Sequence, residues 1–120
     1  MREVKLHVTD LDGFFADAME GARRIDSGDF SEQPGVVAFE NMETLLKILT
    51  ASRWQLLRTL KHQGKTSIRQ LAKLLERDYR AVHSDVHALM AIDLIERDDG
   101  NQIFVPWDRI TAEMAIDLAA

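Results

Sequence analysis

Arg80, His83, Ser84 and His87 recur at i, i+3, i+4 and i+7, the spacing that lines side chains along one stripe of an α-helix. All four carry groups that can meet the edge of a base, and the planar fork of Arg80 suits guanine O6 and N7. The opposite stripe, Val82, Val86 and Leu89, is apolar, so Tyr79–Met90 reads as a helix with one side for a core and one for a ligand. Arg77 and Tyr79 stand at its start, Lys65, Ser67, Arg69 and Lys73 precede it, and Arg97 follows it. These residue types hold nucleic-acid phosphates, which fix a protein's register on a duplex. The pattern therefore predicts double-stranded DNA as the ligand of this set, against the plainer reading of a solvated helix face.

Other chemistries fit less well. His83 and His87, one turn apart, have the spacing of two zinc ligands, but the chain has no cysteine and the pattern offers no third ligand. Asp10-Leu11-Asp12-Gly13 begins like a calcium loop and lacks the later ligands, so capping explains it better. Asp98 and Asp99 read as turn residues. With no nucleophile motif, Ser-His-Asp context or glycine-rich phosphate loop, neither an enzyme nor a cofactor is expected.

The net charge of −5 over 120 residues looks wrong for a DNA ligand until it is divided by segment. Arg53–Arg97 carries nine Lys and Arg against five acids, whereas the rest carries six against fifteen. A basic block in an acidic chain implies one surface for DNA and another for something else. No apolar run is long enough to span a membrane, no apolar stretch follows Met1–Lys5 as in a secretory signal, and the lack of cysteine fits a reducing compartment. A cytoplasmic protein is expected.

The elements that must position these residues follow from periodicity. Arg2–Val8 alternates as a strand; Leu11, Phe14, Phe15, Ala18, Ala22 and Ile25 form a helical stripe between Asp10 and Gly28, and Asp26–Gly35 reads as a loop. Val36–Phe39 is a short apolar stretch with the look of a strand, and Asn41 caps a helix bearing Leu45, Leu46 and Leu49. Trp54, Leu57 and Leu60 line the next helix, which stops at Gly64. Ser67-Ile68-Arg69-Gln70 has the form of a capping box opening a helix with Ile68, Leu71, Ala72 and Leu75 inward. After Glu76-Arg77-Asp78 comes the helix at Tyr79. Leu94–Arg97 and Gln102–Val105 then flank Asp98-Asp99-Gly100-Asn101, whose Asp-Gly pair signals a tight hairpin. Ile110, Ala112, Met114, Ile116 and Leu118 alternate as a strand, with a helix capped by Asp108 as the alternative.

Helix, helix, short turn, helix, hairpin is the order of a winged helix-turn-helix. The expected fold is α+β and mainly α, with residues 1–40 an acidic strand-helix extension and residues 41–120 the winged core with its C-terminal strand. The strands Val4–Val8 and Ile110–Leu118 lie outside the winged core and need partners, within or between chains, and a homodimer is expected.

Leu49–Leu57, Ser67–Ala72 and above all Arg77-Asp78-Tyr79-Arg80-Ala81-Val82-His83-Ser84-Asp85-Val86 resemble a family of small prokaryotic MarR-like winged-helix regulators, several of them antitoxins encoded beside a small toxin. The resemblance runs from about Phe14 to the C-terminus and implies DNA binding by the helix near Tyr79. It implies a transcriptional regulator, an antitoxin that controls its own operon and binds a cognate toxin. The alternatives are a ligand-responsive regulator without a toxin, and a winged helix that binds only protein. One departure stands out: where such proteins have Gly before the Leu-Ile of the wing, this chain has Asp93. The acidic tip, Asp98 and Asp99, repels phosphate, so the wing is not expected to be a main DNA contact, although Arg97 and Asn101 remain able to touch the backbone.

Overall fold

The computed structural model describes residues 1–8, 19 and 35–114. The helix expected between Asp10 and Gly28 and the loop that follows it lie outside these residues but for Met19 and Gly35, as does the end of the last expected strand. The described elements make an α+β chain of four helices and short strands, in two units: residues 1–46 with 108–120, and residues 47–107.

The first unit holds a three-stranded parallel sheet of β1 (Glu3–Val8), β2 (Gly35–Phe39) and β5 (Arg109–Glu113), in the order β2-β1-β5. Alternation fixes its faces. Val4 and Leu6 are buried, and the register sets Val4 beside Gly35 and Ile110, and Leu6 beside Val37 and Ala112. Lys5, on the other face, lies between Val36 and Thr111. Residues 106 positions apart are tied directly: Arg2 N donates to Asp108 Oδ2 at 2.8 Å, and Asp108 N donates to Arg2 O at 2.7 Å. Asp108 thus anchors a strand and caps no helix, and the strand expected from Ile110 pairs inside its own chain. Helix α1 (Met42–Ile48) follows β2, with Asn41 Oδ1 accepting from Thr44 N at 2.9 Å. Of its expected apolar stripe Leu45 is buried, as is Leu49 just beyond its end, and Leu46 is exposed.

The second unit is built from α2 (Ala51–Gln63), α3 (Ile68–Leu75) and α4 (Tyr79–Ala91), followed by the hairpin β3 (Glu96–Arg97) and β4 (Ile103–Phe104). Each helix starts where a short polar side chain takes an orphan amide, at the Oγ1 of Thr50, the Oγ of Ser67 and the Oδ2 of Asp78. Leu56, Leu57 and Leu60, Leu71 and Ala72, and Val82, Val86 and Leu89 form the buried stripes, joined by Leu94, Ile95, Ile103 and Val105. A fully buried Leu or Val contributes about 1.5–3 kcal/mol over an exposed one, so these stripes fix which side of each helix remains outside.

Two tight exits set the direction of α4. Glu76 has φ 53°, ψ 45°; its amide bonds Lys73 O and that of Arg77 bonds Ala72 O, the paired bonds of a Schellman motif. Asp93 repeats the device at φ 64°: its amide bonds Met90 O and that of Leu94 bonds Leu89 O. Both are left-handed conformations that favour glycine, and at Asp93 the departure noted in the sequence has kept the glycine geometry.

The hairpin is real but its strands are shorter than expected and its turn is different. Asn101, not Gly100, holds the left-handed position, at φ 64°. Asp98 O accepts from Asn101 N, and Gln102 O accepts from Asp98 N, the pattern of a three-residue loop closed by a left-handed residue. Thr66, before α3, exchanges hydrogen bonds with Ile103 and ties the α2–α3 connection to β4.

Candidate functional site

All eleven residues singled out in the sequence lie in the second unit. Arg80, His83, Ser84 and His87 are exposed along α4, and Val82, Val86 and Leu89 behind them are buried. The outer row is continuous. The rings of Tyr79 and His83 lie 5.8 Å apart and those of His83 and His87 4.2 Å apart, while the Arg69 guanidinium lies 5.5 Å from the centre of the Tyr79 ring. Arg97, on β3, extends the row beyond His87. The His87 imidazole is held below its usual pKa, first by desolvation, then by the charges of His83 and Arg97, so at neutral pH its lone pair remains available to accept a hydrogen bond.

Beside Tyr79, Arg69, Lys73, Arg77, Ala72 and Glu76 line an open cleft of about 600 Å³. Arg69 and Lys73 reach it from α3, one helical turn apart. Arg77 enters differently from the expectation of a free phosphate contact. Its Nη2 lies 2.9 Å from Asp85 Oδ2, on the other side of which Arg53 Nε donates to Oδ1 at 3.1 Å. Arg53 also donates through Nη1 to Ile48 O at 2.8 Å. The Arg77 approach is ionic without hydrogen-bond alignment, and Arg77 Nη1 is buried with no hydrogen-bond partner among the described residues. Arg77 therefore sits between the cleft and an internal ion cluster.

That cluster was missed in the sequence, where Asp85 counted only as one acid in a basic block. The signal was its position: it directly precedes the buried Val86 and lies one turn after Val82, on the flank of the packed stripe. An acid there requires a cation, and two arginines supply it.

Ser67 spends its hydroxyl oxygen as the N-cap of α3, accepting from Gln70 N at 3.1 Å. Lys65 turns to the hairpin tip: its Nζ lies 3.2 Å from Asp98 Oδ2 and 5.1 Å from the centre of the Phe104 ring. Asp98 is held below the usual carboxylate range, chiefly by the Gln102 amide at 2.9 Å and then by Lys65. The tip thus carries one acid partly neutralised by Lys65, with Asp99 exposed beside it. Among the described residues Arg80 and Lys73 form no ion pair.

The surface so assembled is an exposed row of hydrogen-bonding side chains on a rigid helix, bordered by cations at both ends. Among the described residues no three metal-ligating side chains converge. No helix among them is long and apolar enough to cross a membrane. No curated protein and no solved structure matches the chain. Residues 48–112, which carry this whole surface and more than half of the sequence, match the family described as HVO_A0114, and the chain belongs to that family.

Proposed function

We propose that the chain is a DNA-binding transcriptional regulator of winged helix-turn-helix type that reads the major groove with α4. The observation that carries this reading is the exposed row Arg80, His83, Ser84 and His87 on a helix whose opposite stripe is fully buried. The buried stripe fixes the helix, and a helix so presented has the width of the B-DNA major groove. Arg80, near the N-terminus of α4, takes a base edge. Arg69, Lys73 and the cleft beside Tyr79 take the phosphates of one strand, and Arg97 those beyond His87. The hairpin is the wing, and with Asp98 engaged by Lys65 and Asp99 exposed, its tip is a minor contact. The resemblance to antitoxins extends the proposal to a regulator of its own operon whose acidic remainder binds a basic toxin, testable by co-purification with the product of the adjacent gene.

Electrophoretic shifts on the promoter of its own gene test the reader helix. Arg80→Ala is expected to cost about 1–3 kcal/mol on the operator and to relax sequence preference. Lys73→Ala is expected to weaken all sequences alike and to reduce the slope of log affinity against log salt by about one. Unchanged binding by the Arg80→Ala/His83→Ala protein would remove α4 from the role of reader.

A further inference from the structure

We propose that the outer edge of β5 joins two copies of this chain, antiparallel, about a two-fold axis through Thr111. The inference is independent of DNA binding and rests on the sheet of the first unit. Its order is β2-β1-β5, so among the described residues β5 has a strand on one side only. Arg109 N donates to Arg2 O, toward β1. Backbone groups alternate sides along a strand, so Arg109, Thr111 and Glu113 turn their amides and carbonyls inward, while those of Ile110 and Ala112 face outward, where among the described residues no strand receives them.

The strand reads Arg-Ile-Thr-Ala-Glu and is its own complement. Laid antiparallel about Thr111, Ile110 falls opposite Ala112 of the partner subunit, and each pair exchanges both of its backbone hydrogen bonds. Arg109 then falls opposite Glu113 of the partner subunit, in the non-hydrogen-bonded position where side chains stand closest. Thr111 meets its own copy, a favourable pair. Shifting the register one step either way sets Arg109 or Glu113 against Thr111 instead, so charge selects this alignment. The match continues into the sheet, because Glu3 lies beside Arg109 on β1 and His7 beside Glu113. A row of alternating charge then runs from Glu3 through Arg109 to the partner's Glu113. Arg109, Ala112 and Glu113 are exposed, and Met114 just beyond is 49% exposed. The other edge, β2, reads Gly-Val-Val-Ala-Phe and carries no charge to set a register or a partner.

Light scattering on the full chain at about 100 μM tests this. The wild type is expected at twice 13.7 kDa. Arg109→Glu sets two like-charge pairs in the interface, as does Glu113→Arg, and each is expected to weaken the dimer at least tenfold with unchanged circular dichroism. Mixing the two variants makes both pairs complementary again and is expected to restore the dimer, as is the double variant in one chain. A wild-type mass of 13.7 kDa overturns the proposal. It is equally overturned if both single variants remain dimeric, if their mixture stays monomeric, or if Val36→Lys on β2 dissociates the dimer while the charge exchanges do not.

Discussion

Replacing Asp85 by Asn removes one charge and almost no volume from the cluster that holds the start of α4 to α2. Asp85 is 13% exposed at its side chain, Arg53 17% and Arg77 30%, at 3.1 and 2.9 Å from its two oxygens. A unit pair at 4 Å is worth about 4 kcal/mol at an effective dielectric of ~20, before desolvation is deducted. Removing one partner of a buried pair typically costs about 3–5 kcal/mol, because the remaining charge is left uncompensated. Here two guanidiniums lose their counter-ion and face each other, but Arg77 is nearly one-third exposed and is screened. Asn retains an acceptor for Arg53 Nε. The expected losses are therefore about 2 kcal/mol for Asp85→Asn and about 3 kcal/mol for Asp85→Ala. At about 4 °C per kcal/mol these lower Tm by about 8 and 12 °C in thermal unfolding followed by circular dichroism. Most of each loss should persist between 0.1 and about 1 M salt, since part-buried pairs are poorly screened. A loss below about 0.5 kcal/mol, or one abolished by salt, would show that the cluster behaves as a surface pair and that the account of Arg77 is wrong.

Asp93→Gly should stabilise the protein by about 0.5 kcal/mol in urea unfolding, because relief of a left-handed L-residue exceeds the added chain entropy; a destabilised variant would contradict the strain assigned at φ 64°. His87 offers a pH signature. Its pKa lies below the free value in the folded chain, so its contribution to folding is full above about 6.5 and declines as pH falls through that lowered value. An imidazole that accepts a hydrogen bond from a base edge must stay neutral, so operator affinity should fall as pH drops below about 6.5 and through that lowered value. A flat profile, or one unaltered by His83→Gln/His87→Gln, would separate these imidazoles from the DNA.

Much of the second unit was legible because its signals are local. Ser67 declares a helix start through a bond to the residue three positions on, and the inward stripes recur at helical spacing. The exposed row on α4 follows from the same arithmetic, since fixing Val82, Val86 and Leu89 inside fixes Arg80, His83 and His87 outside. What was not legible depends on distance. Nothing in the neighbourhood of Arg77 reveals that its guanidinium turns toward Asp85 and shares it with Arg53, thirty-two residues from that aspartate. Lys65 likewise reads as a free cation until the hairpin brings Asp98 beside it. Asp-Gly marked a turn correctly, yet which residue takes the left-handed position depends on loop length, and a three-residue loop passes that role to Asn101.

The strand at the centre of the parallel sheet is made first and completed last. Arg2 and Asp108 are 106 residues apart, which ribosomes take roughly 5–20 s to traverse at about 5–20 residues per second. Contacts of such long separation are also the slow ones to close after synthesis. β2 reaches β1 about thirty residues into the chain, so until β5 emerges β1 has an open edge where its last neighbour belongs. The helices and hairpin of residues 47–107, joined by short connections, have every residue they need before then. The nascent protein thus has its helical unit available for folding before its sheet, and the vulnerable interval belongs to β1, whose Val4 and Leu6 must wait for β5.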